Sequence, residues 1–306
     1  MTKRVSIVTN EEVKNNIISA YQQFERENKG EYIVFFAKRP DLVVTVYSSN
    51  KSDEFKVLFV GDNALEEAQK FDPNAVEKEP RKKERNARWL CLENQVGSDE
   101  VGTGDFFGPI CVCAAYVSES KIDYLIKLGV KDSKKLDDDK IREIGKKLIR
   151  NIPYSQVSLD NETYNKLVDE KMNMNEMKAK MHNRVLLNLA FKFPRCDHYF
   201  VDEFTPEDNY FDYLNGAGDV LKNVTFKTKG ESYYPSVAVG SIIARYSFLQ
   251  KMDKMSRKYG MDFPHGSSSK VDKFAQEFIK KFGVAELRKV AKTNFINYQK
   301  IIEDLQ

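Results

Sequence analysis

The sequence predicts an α/β protein in two parts, a small α+β unit followed by a larger domain with a mixed sheet and flanking helices. Three observations lead to this prediction. Residues 1–71 read as strands and helices in the order β-α-β-β-β-α, and residues 72–88 are polar, charged and interrupted by Pro73 and Pro80. Residues 89–306 alternate strand-like and helical segments over a length that can bury a sizeable core. We therefore expect a domain at 1–71, a linker at 72–88 and a domain at 89–306.

The first unit opens with a strand at residues 3–8 and a helix from Glu11 to about Glu27. Asn10 is a suitable N-cap for this helix, because its side-chain oxygen accepts from a backbone N–H of the first turn. The following runs of β-branched and aromatic residues predict strands at 32–37, 42–47 and 55–60, and a helix at 63–70. The basic end of the linker, 81–88, has two interpretations: a solvated tether, or a segment that contacts phosphate.

The second domain begins with strand-like runs around a glycine-rich turn and becomes helical toward its end. The predicted strands are 89–97, 110–117, 155–159, 198–201 and 224–228. The predicted helices are 175–191, 235–258, 270–282, 284–288 and 293–304. Pro235 in the first turn of the longest helix fits this assignment, since proline is tolerated where its missing N–H has no partner.

Composition excludes several classes of protein. Lys and Arg total 49 and Asp and Glu total 46, a net charge of +3, so bulk charge does not indicate a strongly basic nucleic-acid binder. The sequence lacks an apolar run of about 18 residues and a signal-like start, which argues against membrane and secreted proteins. Four scattered Cys suggest reduced thiols in the cytoplasm, and three His argue against a His-rich metal site.

The most informative segment is Gly97–Pro109, which contains adjacent carboxylates at Asp99 and Glu100 within a glycine-rich frame. Neighbouring residues of a regular strand point to opposite faces. We therefore expect the strand to end at these acids and the glycines to provide an irregular backbone that brings both to one site. The alternative is a sharp turn with solvated acids.

Two further acids strengthen a candidate metal site. Asp202 follows the apolar strand that ends at Val201, where it is either a site residue or a helix N-cap. Glu231 lies in a loop before the longest helix, where it is either a site residue or a surface acid. Carboxylates gathered without His or Cys favour Mg²⁺ or Mn²⁺ as the ion.

Candidate substrate contacts lie in three places. The backbone of Gly102, Thr103 and Gly104 can approach phosphate or sugar oxygens. Cations and a hydroxyl interleave in the segment 131–136, at Lys131, Ser133, Lys134 and Lys135; the alternative is a solvated charge run. Ser241 and Arg245 lie one turn apart on the longest helix, and Arg245 is either a phosphate ligand or the partner of an acid.

Together these motifs closely resemble the type 2 ribonucleases H and, within them, the ribonuclease HIII subfamily. The resemblance rests on Asp99-Glu100-Val101-Gly102-x-Gly104, Phe107-Gly108-Pro109, Lys131-Asp132-Ser133-Lys134-Lys135-Leu136, Val201-Asp202 and Val239-Gly240-Ser241-Ile242-Ile243-Ala244-Arg245. It implies a ribonuclease H-like mixed sheet with flanking helices, preceded by a small α+β domain like the TATA-box-binding protein. That N-terminal domain would bind substrate.

The resemblance also implies an activity and a set of site residues. The activity is endonucleolytic, metal-assisted hydrolysis of the RNA strand of an RNA–DNA hybrid, with 5′-phosphate and 3′-hydroxyl ends, by a monomeric enzyme. The catalytic acids would be Asp99, Glu100, Asp202 and Glu231, of which the first three would hold the ion. Thr103 stands where ribonuclease HII has Arg, which argues against the alternative of cleavage at single embedded ribonucleotides. A non-catalytic nucleic-acid-binding protein is a second alternative, but it leaves the acids unexplained.

Overall fold

The structure is a computed structural model that describes residues 3–27, 32–48, 54–77, 89–130 and 136–304. The chain divides into two compact units, Met1–Asn86 and Ala87–Gln306. The basic segment 81–88 and the charged loop 131–135 lie outside the described residues, so the expectations for them stay predictions. Across the part of the chain that is described, no helix is both long and apolar enough to cross a membrane.

The described residues of the first unit form a four-stranded antiparallel sheet with two helices. Its elements are β1 (Lys3–Thr9), α1 (Glu11–Tyr21), β2 (Ile33–Lys38), β3 (Leu42–Ser48), β4 (Phe55–Gly61) and α2 (Ala64–Gln69), and the strand order is β1-β4-β3-β2. The Asn10 side chain accepts a hydrogen bond from Val13 N at 3.0 Å, which confirms the N-cap. The first helix ends at Tyr21 and not near Glu27, because the chain turns back and Glu25 forms a β-bridge with Ala37.

The second unit places helices on both faces of a mixed sheet. Its strands are β5 (Gln95–Val101), β6 (Ile110–Val117), β7 (Tyr154–Leu159), β8 (His198–Asp202) and β9 (Thr225–Lys227). Its helices are α3 (Ile122–Leu128), α4 (Asp138–Asn151), α5 (Asn161–Asp169), α6 (Met174–Lys192), α7 (Glu207–Asp212), α8 (Pro235–Tyr259), α9 (Ser269–Phe282), α10 (Val284–Val290) and α11 (Ile296–Glu303). In the described residues the strand order is β7-β6-β5-β8-β9. The fold class predicted from the sequence is confirmed.

The central strand β5 differs from its prediction in a way that matters for the site. It was expected at 89–97, ending before the two acids, but it begins at Gln95 and continues through Val101. The preceding residues form a loop, because the Gln95 side-chain amide donates to the carbonyls of Cys91 and Glu93. Asp99 and Glu100 therefore lie within a regular strand, paired with Cys113 and Val112 of β6. The expectation of irregular backbone at the acids is wrong.

Each face of this sheet has its own apolar core. On one face, Cys113 and Ala115 of β6 pack with residues of α4 and α8 such as Ile144 and Ile242. On the other face, Val112 and Ala114 pack with residues of α6 such as Leu186. Because both faces are covered by helices, any side chain on β5 points toward a helix.

Two glycines allow α8 to approach the sheet closely. A Cβ on Gly97 of β5 would lie 2.5 Å from Val237 N, and a Cβ on Gly240 of α8 would lie 2.8 Å from Cys113 O. Contacts this short are prohibitive, so both positions require glycine. The close approach brings Ser241, the next residue of α8, to hydrogen-bonding distance of Asp99.

A buried lysine anchors the turn that follows β5. The Lys292 ammonium donates to the carbonyls of Asp105 and Gly108, each at 2.7 Å, and its side chain is fully buried. The Lys292 backbone N–H also donates to Phe106 O at 2.9 Å. Three hydrogen bonds from Lys292 thus hold the turn between β5 and β6 in one conformation. Burial lowers the pKa of Lys292 to about 8.

We expect Lys292→Met to destabilise the protein by about 2–4 kcal/mol, because two buried carbonyls would lose their donor. Urea unfolding near neutral pH measures this change. Lys289→Met is the matched control, because Lys289 pairs with Glu286 at the exposed surface and such pairs contribute about 0–1 kcal/mol. Equal unfolding free energies for the two variants would contradict the anchoring role.

The cost of Lys292→Met should also grow with pH. The folded pKa of Lys292, about 8, lies below its ordinary value of 10.5, so between these values the unfolded chain binds more protons at this position. The wild-type protein should therefore gain stability relative to Lys292→Met as the pH rises from 8 toward 10.5. If the stability difference between wild type and Lys292→Met shrinks over this pH range, the pKa of Lys292 is not lowered in the folded protein.

Candidate active site

Asp99 and Glu100 point to opposite faces of the sheet at the end of β5. Their partners on β6, Cys113 and Val112, belong to the two different apolar cores. Asp99 therefore faces α8, and Glu100 faces α6. The two carboxylates still line one cleft, because both residues lie near the carboxyl end of β5.

Asp99 is buried and has acidic neighbours. One of its carboxylate oxygens accepts from the backbone N–H of Glu100 at 2.7 Å. Burial raises the pKa of Asp99 well above its ordinary value, and the charges of Glu100 and Asp202 raise it further, while a hydrogen bond from Ser241 acts in the opposite direction. Asp99 therefore resists ionisation in the absence of a cation, because its neighbours are acidic and burial excludes much of the water.

Glu100 has the opposite environment. Lys178 Nζ lies 3.1 Å from its Oε1 and His182 Nε2 lies 2.9 Å from its Oε2. Burial alone would raise the pKa of Glu100, but the contacts with His182 and Lys178 outweigh it, so the pKa is lowered. Glu100 is thus held ionised beside a positive charge.

Asp202 reaches the same cleft from the neighbouring strand. It is the last residue of β8, which runs parallel to β5 with Val201 opposite Ser98. The carboxyl ends of parallel neighbours meet at one edge of a sheet, so Asp202 lies beside the end of β5. Its Oδ1 accepts from Gly230 N at 2.8 Å. This bond ties the strand end to the loop that carries the fourth acid.

Glu231 follows immediately in a short 3₁₀ turn, Gly230–Ser232, and only 3% of its surface is exposed. Ser232 Oγ donates to its Oε1 at 3.4 Å. Lys229, just before the turn, has a φ of 61°, a left-handed conformation that is costly for a residue with a side chain. The backbone is thus constrained at the point where it brings Glu231 near Asp202. The prediction of an exposed surface acid at this position is excluded by the burial.

The cleft itself has a volume of about 320 Å³. Its lining residues are Asp99, Glu100, Val101, Ile141, Asp202, Ser241, Ile242 and Arg245. Three of the four candidate acids therefore line one cavity, together with both candidates on α8. As the side chains stand in the described residues, no three His, Cys, Asp or Glu form a closed cage for an ion.

The two candidates on α8 have structural partners. Arg245 donates to Leu136 O at 2.9 Å and to Asp138 Oδ1 at 2.6 Å, so it ties α8 to the start of α4. The interpretation of Arg245 as the partner of an acid thus describes the structure, although Arg245 also lines the cleft. Ser241 bonds Asp99.

The two glycines of the turn after β5 have different environments: Gly102 is buried and Gly104 is exposed. Gly102 has a φ of 96°, and a Cβ there would lie 2.1 Å from Pro109 O, so the turn requires glycine. Gly104 is exposed, and a Cβ there would meet nothing within 4 Å. Its backbone is consequently accessible to a ligand, and Thr103 between them is half-buried.

Three relevant side chains escaped sequence reasoning: Lys178, His182 and Lys292. Lys178 and His182 are four residues apart on a helix that was predicted from its apolar face. A charged pair at this spacing on the buried side of an amphipathic helix was the available signal. Lys292 lies in a short connection between helices, and the sequence offers no sign of its burial.

Comparisons with known proteins agree with this geometry. Residues 96–298 match the family model of Ribonuclease HII, and residues 4–84 match a domain of unknown function, DUF3378. The chain is 38% identical to ribonuclease HIII of Bacillus cereus over 316 residues, which covers 100% of both proteins. It is also 38% identical to ribonuclease HIII of Bacillus mycoides, with 98% of both proteins covered.

Solved structures give the same result. The crystal structure of Bst-RNase HIII in complex with Mn²⁺ is similar with a TM-score of 0.69 and 35% identity, and the match covers 99% of both chains. The ribonuclease H2 of Pyrococcus horikoshii OT3, at 24% identity and a TM-score of 0.56, shares the fold over 69% of this chain and 98% of its own. The chain belongs to the ribonuclease HII family and is a ribonuclease H enzyme of the ribonuclease HIII kind.

Proposed function

We propose that this enzyme hydrolyses the RNA strand of RNA–DNA hybrids by endonucleolytic cleavage, leaving 5′-phosphate and 3′-hydroxyl ends. The observation that carries the proposal is the convergence of Asp99, Glu100 and Asp202 on one cleft at the ends of β5 and β8. Two of these acids are consecutive in the chain and the third comes from a separate strand, so the fold itself brings them together. Similarity to ribonuclease HIII proteins over the full length supports the same activity.

The acids suit a divalent cation. We assign Asp99, Glu100 and Asp202 as its protein ligands and Mg²⁺ or Mn²⁺ as the ion, because an all-oxygen donor set fits these hard cations. The Mn²⁺ complex of the related Bst enzyme supports this assignment. When bound, the ion lowers the pKa of a water and neutralises charge on the scissile phosphate. Glu231 is the fourth catalytic acid, at the side of the cleft where Gly230 bonds Asp202.

The chain's own groups orient the substrate. The exposed backbone at Gly104 and the adjoining Thr103 face the ribose, whose 2′-hydroxyl distinguishes RNA from DNA. Ser241 positions the Asp99 carboxylate, and Arg245 bonds Leu136 and Asp138, which follow the predicted loop of Lys131, Ser133, Lys134 and Lys135 in the sequence. We propose that this loop contacts the phosphate backbone, which sets register without reading sequence.

The N-terminal unit is proposed to be a substrate-binding domain like the TATA-box-binding protein. Its sheet has a helix-covered core, yet Tyr32 and Val34 at the edge strand β2 are exposed. Among the other aromatic residues of this sheet, Phe35 is buried, while Phe36, Tyr47 and Phe55 are half-buried. We further propose that the enzyme acts as a monomer in the cytoplasm, in keeping with its four free cysteines.

Replacement of Asp99 by Asn should abolish cleavage, with a loss of about 1,000-fold or more, because a metal-ligating carboxylate supports several kcal/mol of transition-state stabilisation. A labelled RNA–DNA hybrid with Mg²⁺ or Mn²⁺ measures turnover, and the melting temperature checks the fold. Asp197→Asn is the control, since Asp197 is an exposed acid that precedes β8. Turnover by a folded Asp99→Asn protein at the wild-type rate would refute the ligand assignment.

A duplex with one embedded ribonucleotide should be cleaved at least about tenfold less efficiently than a continuous hybrid, measured as kcat/KM. The reason is that Thr103 lacks the guanidinium that the ribonuclease HII form of the turn carries. Both substrates are compared at equal length and salt concentration, because phosphate contacts make affinity salt-dependent. Equal efficiency on the two substrates would favour the ribonuclease HII-like alternative.

Removal of residues 1–86 should weaken hybrid binding by about tenfold or more and change kcat at saturating substrate much less. The two units are separately compact, so the remaining unit retains its own cores. Fluorescence anisotropy measures affinity, and single-turnover kinetics measure the bound-state rate. Unchanged affinity would exclude a binding role for the N-terminal unit.

A further inference from the structure

Two side chains on α6 hold the carboxylate of Glu100, one at each oxygen. Lys178 Nζ lies 3.1 Å from Oε1, and His182 Nε2 lies 2.9 Å from Oε2. The two residues are one helical turn apart, so they project from the same face of α6. Only 7% of Lys178 and none of His182 is exposed. Side chains buried this deeply make their contacts with other protein groups and not with solvent.

The imidazole of His182 is held in place by a second contact, at its other ring nitrogen. Ser98 Oγ lies 2.8 Å from His182 Nδ1, and Ser98 is fully buried on β5, two residues before Glu100. An ionised carboxylate only accepts hydrogen bonds, so His182 donates from Nε2. In the neutral ring, Nδ1 then accepts from the Ser98 hydroxyl. Strand, helix and carboxylate thus form one chain of contacts that determines the orientation of the ring.

An aromatic ring completes the support. Phe204 stacks against His182 with ring centroids 5.1 Å apart, and the Lys178 ammonium lies 4.0 Å from the centre of the same ring. A cation over an aromatic face is attracted by the ring's quadrupole. Phe204 follows Asp202 by two residues, so the support for Glu100 is linked through the chain to a second acid of the cleft.

Glu100 needs such support because of its position. It lies on the face of the sheet opposite Asp99, and a glutamate has three side-chain torsions that must be fixed for its carboxylate to lie at one point. Freezing these torsions costs conformational entropy. Contacts made before any ligand arrives remove that cost from the binding step.

We propose that Lys178 and His182 are positioning residues that preset the Glu100 carboxylate for the divalent ion, with Ser98 as the support for His182. They act on the reaction only through Glu100. The inference rests on the proposed metal-assisted function. It differs from a purely structural interpretation, in which the buried ion pair contributes only to folding.

The test compares His182→Leu and Lys178→Met with two matched controls in the full-length chain. His198→Leu removes a histidine that contacts Glu93 at 2.9 Å near the surface. Lys180→Met removes a lysine of the same helix that pairs with Glu176 on its outer side. His182→Gln is the conservative variant, because its amide can still donate to Glu100.

Three measurements are made on each variant. The electron paramagnetic resonance signal of free Mn²⁺ gives the affinity of the metal-free protein for Mn²⁺. Cleavage of a hybrid gives kcat and KM, and thermal unfolding gives the melting temperature. His182→Leu and Lys178→Met should each lower kcat by about 10–100-fold, with KM for the hybrid unchanged. His182→Leu should weaken Mn²⁺ binding by a similar factor, and His182→Gln should recover part of both losses. The two controls should match the wild type.

Several results would overturn the inference. One is a folded His182→Leu protein with wild-type Mn²⁺ affinity and kcat; another is a variant that loses only melting temperature. If His182→Leu does not fold, Ser98→Ala replaces it, and a Ser98→Ala protein with unchanged kcat and Mn²⁺ affinity would count against the inference. A wild-type protein that neither binds Mn²⁺ nor cleaves hybrid would instead refute the proposed function, which separates the two failures.

Discussion

The alternation of side chains along β5 is the constraint on which the site depends. Asp99 and Glu100 are consecutive in a strand that keeps regular pairing with β6 as far as Val101. Regular pairing sends the two carboxylates to opposite faces of the sheet. A site that uses both must therefore lie at the strand end and be supported from both faces. The helices on the two sides supply that support separately, α8 through Ser241 and α6 through Lys178 and His182.

The two sides treat the acids differently. On the α8 side, glycines at 97 and 240 allow helix and strand into contact, and Asp99 becomes buried among acids with a raised pKa. On the α6 side, Glu100 meets a cation and an imidazole, and its pKa is lowered. Environments that push the pKa values of neighbouring carboxylates apart are typical of sites in which each has its own task. One strand thus provides two acids with distinct electrostatics.

Sequence reasoning picked out three acids that line one cleft in the structure, but it did not predict their geometry. Asp99 was picked for its glycine-rich frame and Asp202 for the apolar run before it, and both patterns survive errors of several residues in strand bounds. The bounds of β5 were wrong because Trp89–Asn94 has the composition of a strand, while the loop is stabilised by Gln95 hydrogen bonds that no local pattern reveals. Lys178, His182 and Lys292 were missed for a related reason. Charged side chains on a chain are read as solvent-facing unless tertiary contacts bury them, and those contacts come from distant segments.

The net charge of +3 conceals this local arrangement. On the α6 side, Lys178 offsets part of the charge of Glu100. On the α8 side, Arg245 donates hydrogen bonds to Asp138 and Leu136. On the α8 side, burial together with two acidic neighbours raises the pKa of Asp99. Carboxylates crowded in this way repel a phosphodiester wherever they are ionised, unless a cation accompanies it. Under the proposed function, the same acids that oppose a non-catalytic binding function would favour phosphate presented together with a divalent ion.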